Sequence, residues 1–475
     1  MSSINTNVSA LIAQNSLQKS QSALNTSLER LSTGLKINSG ADDPAGLIAS
    51  ESLKSELAGL NQAVDNSNLA SNVISTADGA LSEISSLLQN IKGLIVGSAN
   101  TGALSNSEIQ ANQLEVDSAV ESITRIANTT NFAGLQLLDG SLNYITSGVN
   151  TADISSLQVS QANLGTQATL PVNVNVLASA KTAALEFRTS AITTSITLEI
   201  AGNNGTETLS FTSGTTASAI AFAVNRISDG TGVAASLLNA ANAHSGIVFN
   251  SLGYGSSSYV SVQAQTGSFD TTDAKGDIEQ RAAGADVEAT VNGALAVGNG
   301  LSINVNTSGL NLDLTLSKAF GIGQTTFAIT GGGALFQLGA AVNSNQQVSI
   351  GIQSVAADNL GDSVNGFLNQ VATGGTATLI GGQTAQASQI IDEAINQVAV
   401  LQGRLGAFET NTLTTNVNSL SVAVENVTAA NSQIEDADFA AETSNLTRAQ
   451  ILVQAGTSVL ATANSTPQDV LRLLQ

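Results

Sequence analysis

Hydrophobic residues near the start of the chain recur at intervals of three, four and seven positions, separated mostly by Ser, Ala, Gln and Asn. The leucines that carry this pattern are Leu17, Leu24, Leu28, Leu31 and Leu35. Such spacing places side chains on one face of an α-helix. It therefore predicts an amphipathic helix that ends in the stretch 34–40, where Gly34 and Gly40 interrupt the pattern.

A longer helical pattern begins at residue 44 and continues to about residue 99. Asp43 is a suitable N-cap, and Pro44 suits the first helical position, where no backbone N–H is needed. The apolar positions are Leu53, Leu57, Leu60, Val64, Ala77, Leu81, Ile84, Leu88, Ile91 and Ile95. A run of this length without a cap predicts a coiled-coil helix about 80 Å long at ~1.5 Å per residue. A shorter helix to about residue 128 and a small strand pair are predicted to follow.

The end of the chain returns to helical spacing after a long interruption. Four-three spacing is carried by Ile391, Ile395, Val398, Leu405, Leu413, Val417, Leu420, Val424, Val427 and Ile434, and a final stripe by Leu446, Ala449, Val453 and Leu460. Because both chain ends are helical, we expect them to pair with each other, the chain going out and coming back.

The middle of the chain changes to a period of two, which indicates β-strands. The stretch "ITLEIAGNNGTETLSF" predicts a strand, an Asn-Gly turn and a strand. The stretch "LSINVNTSGLNLDLTL" predicts another hairpin, with Ile303 and Val305 facing leucines across the turn. This region forms one or two compact modules.

The predicted fold is therefore mainly α, an antiparallel coiled coil or helical bundle built from both chain ends, with an inserted β-rich (α+β) central region. Residues 1–43 and 435–475 are assigned to an inner terminal helical domain. Residues 44–177 and 385–434 are assigned to a coiled-coil domain with a small hairpin. Residues 178–384 are assigned to an outward-facing β-rich insertion.

Composition argues against most kinds of chemistry. The net charge of −21, with 15 basic residues in 475, argues against a nucleic-acid-binding protein, which needs clustered Lys and Arg. The chain has no Cys and one His, His244, so thiolate zinc sites and HExxH metal sites are impossible, and a catalytic triad would depend on that single His. No catalytic residue, metal site or cofactor is predicted, and the chain is not expected to be an enzyme.

Targeting signals are also lacking. No stretch approaches the ~18 consecutive apolar residues that span a bilayer, so no membrane partner is predicted. The first residues lack the basic and apolar regions of a signal peptide. We therefore expect either a cytosolic protein or one exported without a cleaved signal.

The acidic run "IEDADFAAE" (434–442) is the strongest candidate for a metal site. It lacks the glycine and the alternating ligand spacing of a calcium loop. Acidic residues at the start of a helix are the simpler interpretation.

The two chain ends closely resemble those of bacterial flagellins. The N-terminal stretch is "INTNVSALIAQNSLQKSQSALNTSLERLSTGLKINSGADDPAGLIAS", and the C-terminal stretch is "SQIEDADFAAETSNLTRAQILVQAGTSVLATANSTPQDVLRLLQ". The resemblance covers about 1–176 and 385–475. It implies a subunit that polymerises into the flagellar filament, the helical propeller of swimming bacteria. It further implies a secreted, extracellular location reached through the flagellar type III apparatus.

The resemblance also implies partners and sites. The partners are copies of the same chain, the flagellar cap, the hook-associated junction proteins and an export chaperone. The polymerisation interface is expected to include Leu17, Leu24, Leu28, Leu31, Leu35, Leu446, Val453, Leu460, Leu471 and Leu474. The hinge between the helical domains is expected to be formed by Gly34, Gly40, Asp43 and Pro44.

Central modules named for an Ile-Asn pair occur in flagellins, and here the corresponding pair is Val224-Asn225 in "AIAFAVNRISDGTGVAASL". The stretches "ADVEATVNGALAVGNGLSINV" and "GGGALFQLGAAVNSNQQVSIGIQ" resemble the same class of insertion.

An innate Toll-like receptor contacts a Gln-Arg-x-x-x-Leu stretch on the long helix of some flagellins, together with a Glu on the next helix. The corresponding residues here are Gln89, Asn90, Leu94 and Glu115. Asn90 replaces the arginine and removes a strong interface anchor, so we expect weak receptor activation.

Three alternatives remain at this stage. A hook–filament junction protein shares the terminal motifs, although the full Asp-Asp-Pro-Ala-Gly joint favours a filament subunit. An enzyme carried on the same scaffold lacks any catalytic constellation. A filament subunit whose central region also acts as an adhesin is compatible with everything above.

Overall fold

A computed structural model describes residues 6–165, 167–242, 245–307 and 309–473 of the chain. Its helices are α1 (Val8–Thr33), α2 (Pro44–Ser98), α3 (Asn106–Thr129), α4 (Ala217–Asn225), α5 (Ser228–Thr231), α6 (Thr384–Phe408), α7 (Thr415–Glu435) and α8 (Phe439–Leu473). A π-helical turn, Glu409–Thr414, separates α6 from α7. The predicted terminal helices around a β-rich centre are confirmed.

The strands occupy the central part of the chain and are short, as is usual in globular domains. They are β1 (Asn131–Phe132), β2 (Leu135–Gln136), β3 (Tyr144–Ser147), β4 (Ile154–Ala162), β5 (Leu170–Ala178), β6 (Thr182–Phe187), β7 (Ile196–Gly202), β8 (Gly205–Phe211), β9 (Val233–Leu237), β10 (Ile247–Tyr254), β11 (Tyr259–Thr266), β12 (Arg281–Ala283), β13 (Glu288–Val291), β14 (Ala294–Leu295), β15 (Val297–Asn299), β16 (Ser302–Asn306), β17 (Leu310–Leu316), β18 (Gly323–Gly332), β19 (Ala334–Gln337), β20 (Gln347–Ile350), β21 (Gly361–Asp362) and β22 (Gly366–Phe367).

The chain divides into two compact units. One contains residues 1–70, 337–346 and 410–475, and the other contains residues 71–336 and 347–409. The second unit holds the coiled-coil core that the sequence predicts. Ile74, Ala77, Leu81, Ile84, Leu88 and Ile91 on α2 are all 0% exposed, so the four-three stripe is confirmed as buried.

The first β module is a two-sheet sandwich. A five-stranded sheet of order β14-β13-β5-β18-β3 packs against a four-stranded sheet of order β15-β16-β17-β4. The hairpin β16–β17 pairs Ile303 with Leu314 and Val305 with Leu312, which confirms the predicted facing residues. The core is formed by alternating valines of β5 and leucines of β17.

A second β module is inserted between β5 and β13 of the first. Its strands β6 to β12 form two sheets of order β6-β10-β9 and β12-β11-β7-β8, and α4 packs on their core. At the junction, Lys181 and Ala285 exchange backbone hydrogen bonds of 2.8 and 3.0 Å. The Val-Asn pair anchors α4: Val224 is fully buried, and both side-chain polar atoms of Asn225 bond the backbone of Ala235.

The hairpin β7–β8 differs from its sequence prediction at the turn. Gly202 pairs with Gly205, so Asn203 and Asn204 form the loop and Gly205 begins the strand. A Cβ at Gly205 would lie 2.8 Å from the carbonyl oxygen of Gly230. The glycine therefore permits close packing against α5 rather than making the turn.

The β structure begins before residue 178. Strands β3, β4 and β5 belong to the sandwich although they precede that position. The stretch "LPVNVNVLA" of β5 alternates Val with Asn and is buried on every second residue. This alternation has the period of two that is typical of a β-strand, yet most of the stretch is assigned above to the coiled-coil domain, residues 44–177.

Candidate functional site: the helical joint and the α1–α8 pair

The stretch between α1 and α2, residues 34–43, is a joint whose start is set by one glycine. Gly34 adopts φ 75°, and its N–H bonds the carbonyl oxygen of Arg30 at 2.9 Å, which closes the last turn of α1. Glycine takes this left-handed conformation without strain, as is usual at helix C-termini. A side chain there would add backbone strain, although it would meet no neighbouring atom.

The joint pairs with the break between α7 and α8. Leu35 forms an antiparallel bridge with Asp436. Lys36 N–H donates to the carbonyl oxygen of Glu435 at 2.6 Å, and Ala437 N–H donates to that of Gly34 at 2.9 Å. Both chain ends therefore interrupt their helices at the same level, and each break satisfies backbone groups of the other.

The start of α2 is capped as the sequence predicts. Gly46 N–H donates to Oδ1 of Asp43 at 2.9 Å, and Pro44 is the first residue of the helix. A Cβ at Gly46 would lie 2.6 Å from both the Asp43 carboxylate and Ile37. Gly46 is thus a structural residue that sequence reasoning missed, although its place two residues after Asp43-Pro44 was visible.

Asp42 organises the loop before this cap. Its Oδ2 accepts hydrogen bonds from the backbone N–H groups of Ser39 and Asn38 and from the Ser39 hydroxyl. These bonds, that of the Ser39 backbone first, lower the pKa of Asp42 below its usual value. The loop is therefore held by a carboxylate that stays charged.

Glu435 clamps α7 to α2. Its side chain is 7% exposed and accepts hydrogen bonds from Ser50 at 2.8 Å, Lys54 at 2.6 Å and Asn431 at 3.2 Å. The bond from Lys54 is the main cause that lowers the pKa of Glu435, and Glu435 in turn raises the pKa of Lys54. We call this group the Glu435 clamp.

Glu442 makes the matching contact between α8 and α1. It is 7% exposed, accepts a hydrogen bond from the Ser27 hydroxyl and lies 3.8 Å from Arg30 Nη1. We call this group the Glu442 clamp. The acidic run 434–442 is interpreted from sequence as the start of a helix. Glu442 does lie in the first turn of α8, but Glu435 is the last residue of α7, so the interpretation is correct for only part of the run. Within the described residues, no group of side chains could hold a metal ion.

Acid should release the Glu435 clamp. The pKa of Glu435 is lower in the folded state than the unfolded value of about 4.3. Its carboxylate therefore stabilises the fold above that value, and the contribution disappears as the pH falls through the folded pKa. We expect the helical circular dichroism of the monomer to stay constant from about pH 7 to 5 and to fall below about pH 4. In Glu435→Gln the fall should be shallower; an unchanged acid profile in that variant would count against the clamp.

Helices α1 and α8 run antiparallel along a shared seam. Asn7 donates to the carbonyl oxygen of Ala463 at 2.7 Å near one end, and the Glu442 clamp lies near the other. Between them, Leu17 lies over Gly456, where a Cβ would be 3.2 Å from Leu17 Cδ1. The close approach of the two helices thus depends on a glycine at this level.

Most of the predicted interface residues are half-buried rather than exposed to solvent. These are Leu17, Leu24, Leu31, Leu35, Leu446, Val453 and Leu460, while Leu28 is exposed. Leu474 lies outside the described residues, and the side chain of Leu471 is also outside the described part.

A different set of apolar side chains is exposed on the same two helices. They are Val8, Leu11, Ile12 and Leu28 on α1 and Phe439, Ile451, Leu452 and Val459 on α8. Ile12, Leu452 and Val459 line a groove of about 400 Å³ that also includes Ala13 and Gly456. We call these eight exposed side chains together the α1–α8 apolar face; Ile12, Leu452 and Val459 are the three that share the groove. The sequence interpretation missed most of this face because it chose the stripe with the most regular leucine spacing.

Charge is scarce beside the groove of the apolar face, whereas Glu29, Arg30 and Glu442 lie near Leu28 and Phe439 in sequence. Residues 6–28 contain only Lys19 as a charged residue, and residues 449–465 contain none. An apolar face without surrounding charge is typical of a surface that is buried in an assembly.

The four predicted receptor residues lie on α2 and α3. Gln89, Asn90 and Glu115 are exposed, and Leu94 is half-buried. Close to them in sequence, Lys92 donates to Asp392 at 2.5 Å and to Ser388 at 2.7 Å on α6. His244 lies outside the described residues. No helix among the described residues is long and apolar enough to cross a membrane.

Three family models match the chain. "Bacterial flagellin N-terminal helical region" matches residues 4–143, "Bacterial flagellin C-terminal helical region" matches residues 388–474, and "Flagellin hook IN motif" matches residues 197–253. The last of these includes β7, β8, α4 and the Val-Asn pair.

Curated relatives match over the whole length. The chain is 34% identical to a flagellin of Salmonella rubislaw and 33% identical to one of Salmonella typhimurium strain LT2, with 99% of each chain covered in both cases. Among solved structures, the hook-associated protein 3 of Legionella pneumophila is 10% identical with a TM-score of 0.31, covering 81% of this chain and 98% of that one.

Proposed function

Since the chain belongs to the bacterial flagellin family and is a structural subunit of the flagellar filament, we propose that the α1–α8 apolar face holds the filament together by packing against other copies of the chain. The single observation that carries this proposal is the exposure of eight large apolar side chains on α1 and α8, two helices in which residues 6–28 and 449–465 contain one charged residue, Lys19. Such a surface is unfavourable in water. A polymer of identical subunits removes it from solvent.

The energetic argument depends on repetition. Burial of apolar surface is worth roughly 25 cal/mol per Å², so one side chain contributes only about 1.5–3 kcal/mol. In a filament each subunit makes several such contacts, and polymerisation stabilises the folded helices by mass action. Contacts between two different faces that do not close into a ring produce a helical polymer.

Electron microscopy of the purified full-length chain tests this function. Filaments should form above a critical concentration, and their absence under conditions in which the monomer is folded would contradict it.

The curated relatives matched over 99% of their length are flagellins, which favours a filament subunit over a junction protein.

We assign residues 1–43 and 435–475 to the innermost part of the filament, residues 44–177 and 385–434 to the layer around it, and residues 178–384 to the outside. Strands β3, β4 and β5 are the exception, because they share the sheets of the central sandwich and go with the outer part. The position of the two helix breaks at one level, Gly34–Leu35 opposite Asp436–Ala437, supports the first boundary. Gly34, Gly40, Asp43 and Pro44 then form the hinge between the first two parts.

A more rigid hinge should change the shape of the filament. Gly40→Pro removes backbone freedom at a position where a side chain would meet only Leu47, at 3.7 Å. We expect its filaments to be locked in one supercoil form or straight, as seen by electron or dark-field microscopy. Filaments that switch form with pH and salt like the wild type would contradict the hinge.

Further partners follow from the family. We propose delivery through the flagellar export apparatus with an export chaperone, and contacts with the cap and hook-associated junction proteins at the filament ends.

Export without a cleaved signal can be tested on secreted filaments. N-terminal sequencing of these filaments should read from residue 1 or 2 of this sequence. A start further along the chain would contradict export without cleavage.

We also propose weak activation of the innate Toll-like receptor. The exposed Asn90 cannot form the bidentate, charged contacts of an arginine. In a receptor reporter assay, the concentration of monomer that gives a half-maximal response should be at least about tenfold higher for the wild type than for its Asn90→Arg variant. A tenfold difference corresponds to about 1.4 kcal/mol of binding free energy. An equally strong response from both proteins would contradict the proposal.

A further inference from the structure

A half-buried arginine of α6, Arg404, reaches the edge of the first β sandwich. Arg404 Nη2 donates to the carbonyl oxygen of Gly351 at 3.2 Å, and the N–H of the same Gly351 donates to the carbonyl oxygen of Ser160 at 2.9 Å. Gly351 therefore joins the arginine to β4 at Ser160.

Two polar atoms on the residues that bond the Gly351 backbone have no hydrogen-bond partner among the described residues. They are Arg404 Nη1 and the hydroxyl oxygen of Ser160, and both are shielded from solvent. Ser160 as a whole is 5% exposed. Buried polar groups are almost always satisfied, and an unsatisfied pair of donors beside one residue indicates that a ligand belongs there.

The neighbouring polar groups of Tyr144, Ser349 and Ala162 form hydrogen bonds with one another. The Tyr144 hydroxyl donates to Ser349 Oγ at 2.7 Å and accepts from Ala162 N–H at 2.9 Å. Ser349 Oγ in turn donates to the carbonyl oxygen of Ala162 at 2.9 Å. None of these groups supplies an acceptor for the Arg404 Nη1 proton.

The positive charge is also without a direct counter-charge. No carboxylate of the described residues forms an ion pair with Arg404. Asp313 acts on it only at longer range, and its carboxylate accepts from Asn304. Burial lowers the pKa of Arg404, which is the mark of a guanidinium that has lost water without gaining a carboxylate.

We propose that Arg404 Nη1 and Ser160 Oγ bind a chloride ion. Both groups can donate a hydrogen bond, and the charge of the guanidinium favours an anion over water. Both atoms are shielded from solvent, which favours a small, monatomic ion. A bound chloride would neutralise the arginine and fasten α6 to the sandwich.

The binding can be followed in the full-length chain. All three tyrosines, Tyr144, Tyr254 and Tyr259, lie in the β modules, and there is no Trp. Thermal unfolding monitored by tyrosine fluorescence therefore reports on these modules, while circular dichroism at 222 nm reports mainly on the helices. The titration replaces sodium gluconate by sodium chloride at constant ionic strength, so that screening does not change.

Chloride should raise the midpoint of the tyrosine transition by ~2–4 °C. Ser160→Ala should weaken the apparent chloride affinity about tenfold, and Arg404→Gln should abolish the response. Arg125→Gln, which removes an exposed arginine of the same unit, is the matched control and should respond like the wild type.

Crystals soaked in sodium bromide provide a readout that does not depend on variants. A bromide anomalous peak within hydrogen-bond distance of Arg404 Nη1 and Ser160 Oγ is expected. A water molecule at that position with no anomalous signal would overturn the proposal. So would identical unfolding midpoints in chloride and gluconate.

Discussion

Leu452→Asp should abolish filament formation while the monomer keeps its fold. Leu452 is 50% exposed on α8 and lines the groove of the α1–α8 apolar face, so a carboxylate there remains solvated in the monomer. In the filament the same carboxylate would be buried without a partner, which costs several kcal/mol. At about 1.4 kcal/mol per tenfold change, the critical concentration should rise at least about 100-fold. Sedimentation of polymer measures this, and circular dichroism verifies the fold.

Two further variants separate assembly from folding. Phe222→Asp changes an apolar side chain that is more exposed than Leu452, 68% on α4 of the inserted module, and should polymerise like the wild type. Leu17→Asp changes the seam residue that lies over Gly456 and should lose both polymerisation and the helicity of α1 and α8. Normal filaments from Leu452→Asp would show that this face is not a subunit contact.

Glu442→Ala should separate α1 from α8 in the monomer. The substitution removes the acceptor of the buried Ser27 hydroxyl and the counter-charge of Arg30, whose Nε is buried without a hydrogen-bond partner. Leaving these groups unsatisfied should cost about 1–3 kcal/mol, discounted because the Arg30 side chain is 28% exposed. The α1–α8 pair should become the first part of the monomer to unfold in urea and the first that a protease cleaves.

Glu29→Ala is the matched control, because Glu29 is an exposed acid on the same stretch of α1. It should change urea unfolding and proteolysis by little. Equal protease resistance of Glu442→Ala and Glu29→Ala would show that the Glu442 clamp does not hold the two helices together.

The long helices and the best hairpins could be predicted from the sequence because their signals are local. The cap Asp43-Pro44 and the stripe from Ala77 to Ile95 follow from spacing and from the chemistry of helix starts. The alternating leucines of β17 likewise identify a strand buried on one face. In these elements the spacing of apolar residues marks the face that is buried, and burial of that face stabilises the element.

The functional surfaces were harder to predict because they depend on which face meets which partner. Leu17 and Leu452 are both apolar residues on amphipathic helices, yet the first lies on the seam and the second is exposed. The regular spacing identifies the stripe that contains Leu17, but it does not show which residues outside that stripe meet another subunit. The roles of Gly46, Gly456 and the clamp residue Glu442 also depend on contacts between distant segments of the chain, which periodicity does not encode.

Accessibility of a single cysteine tests most directly whether the α1–α8 apolar face is buried in the filament. The chain contains no Cys, so Val459→Cys, at a position 57% exposed in the groove, provides one reactive thiol. Thr208→Cys, on the exposed part of β8, is the control on the outer module. Maleimide should label both cysteines rapidly in the monomer, but in the filament it should label Val459→Cys at least about tenfold more slowly and Thr208→Cys as before. Equal labelling of Val459→Cys in monomer and filament would contradict the account.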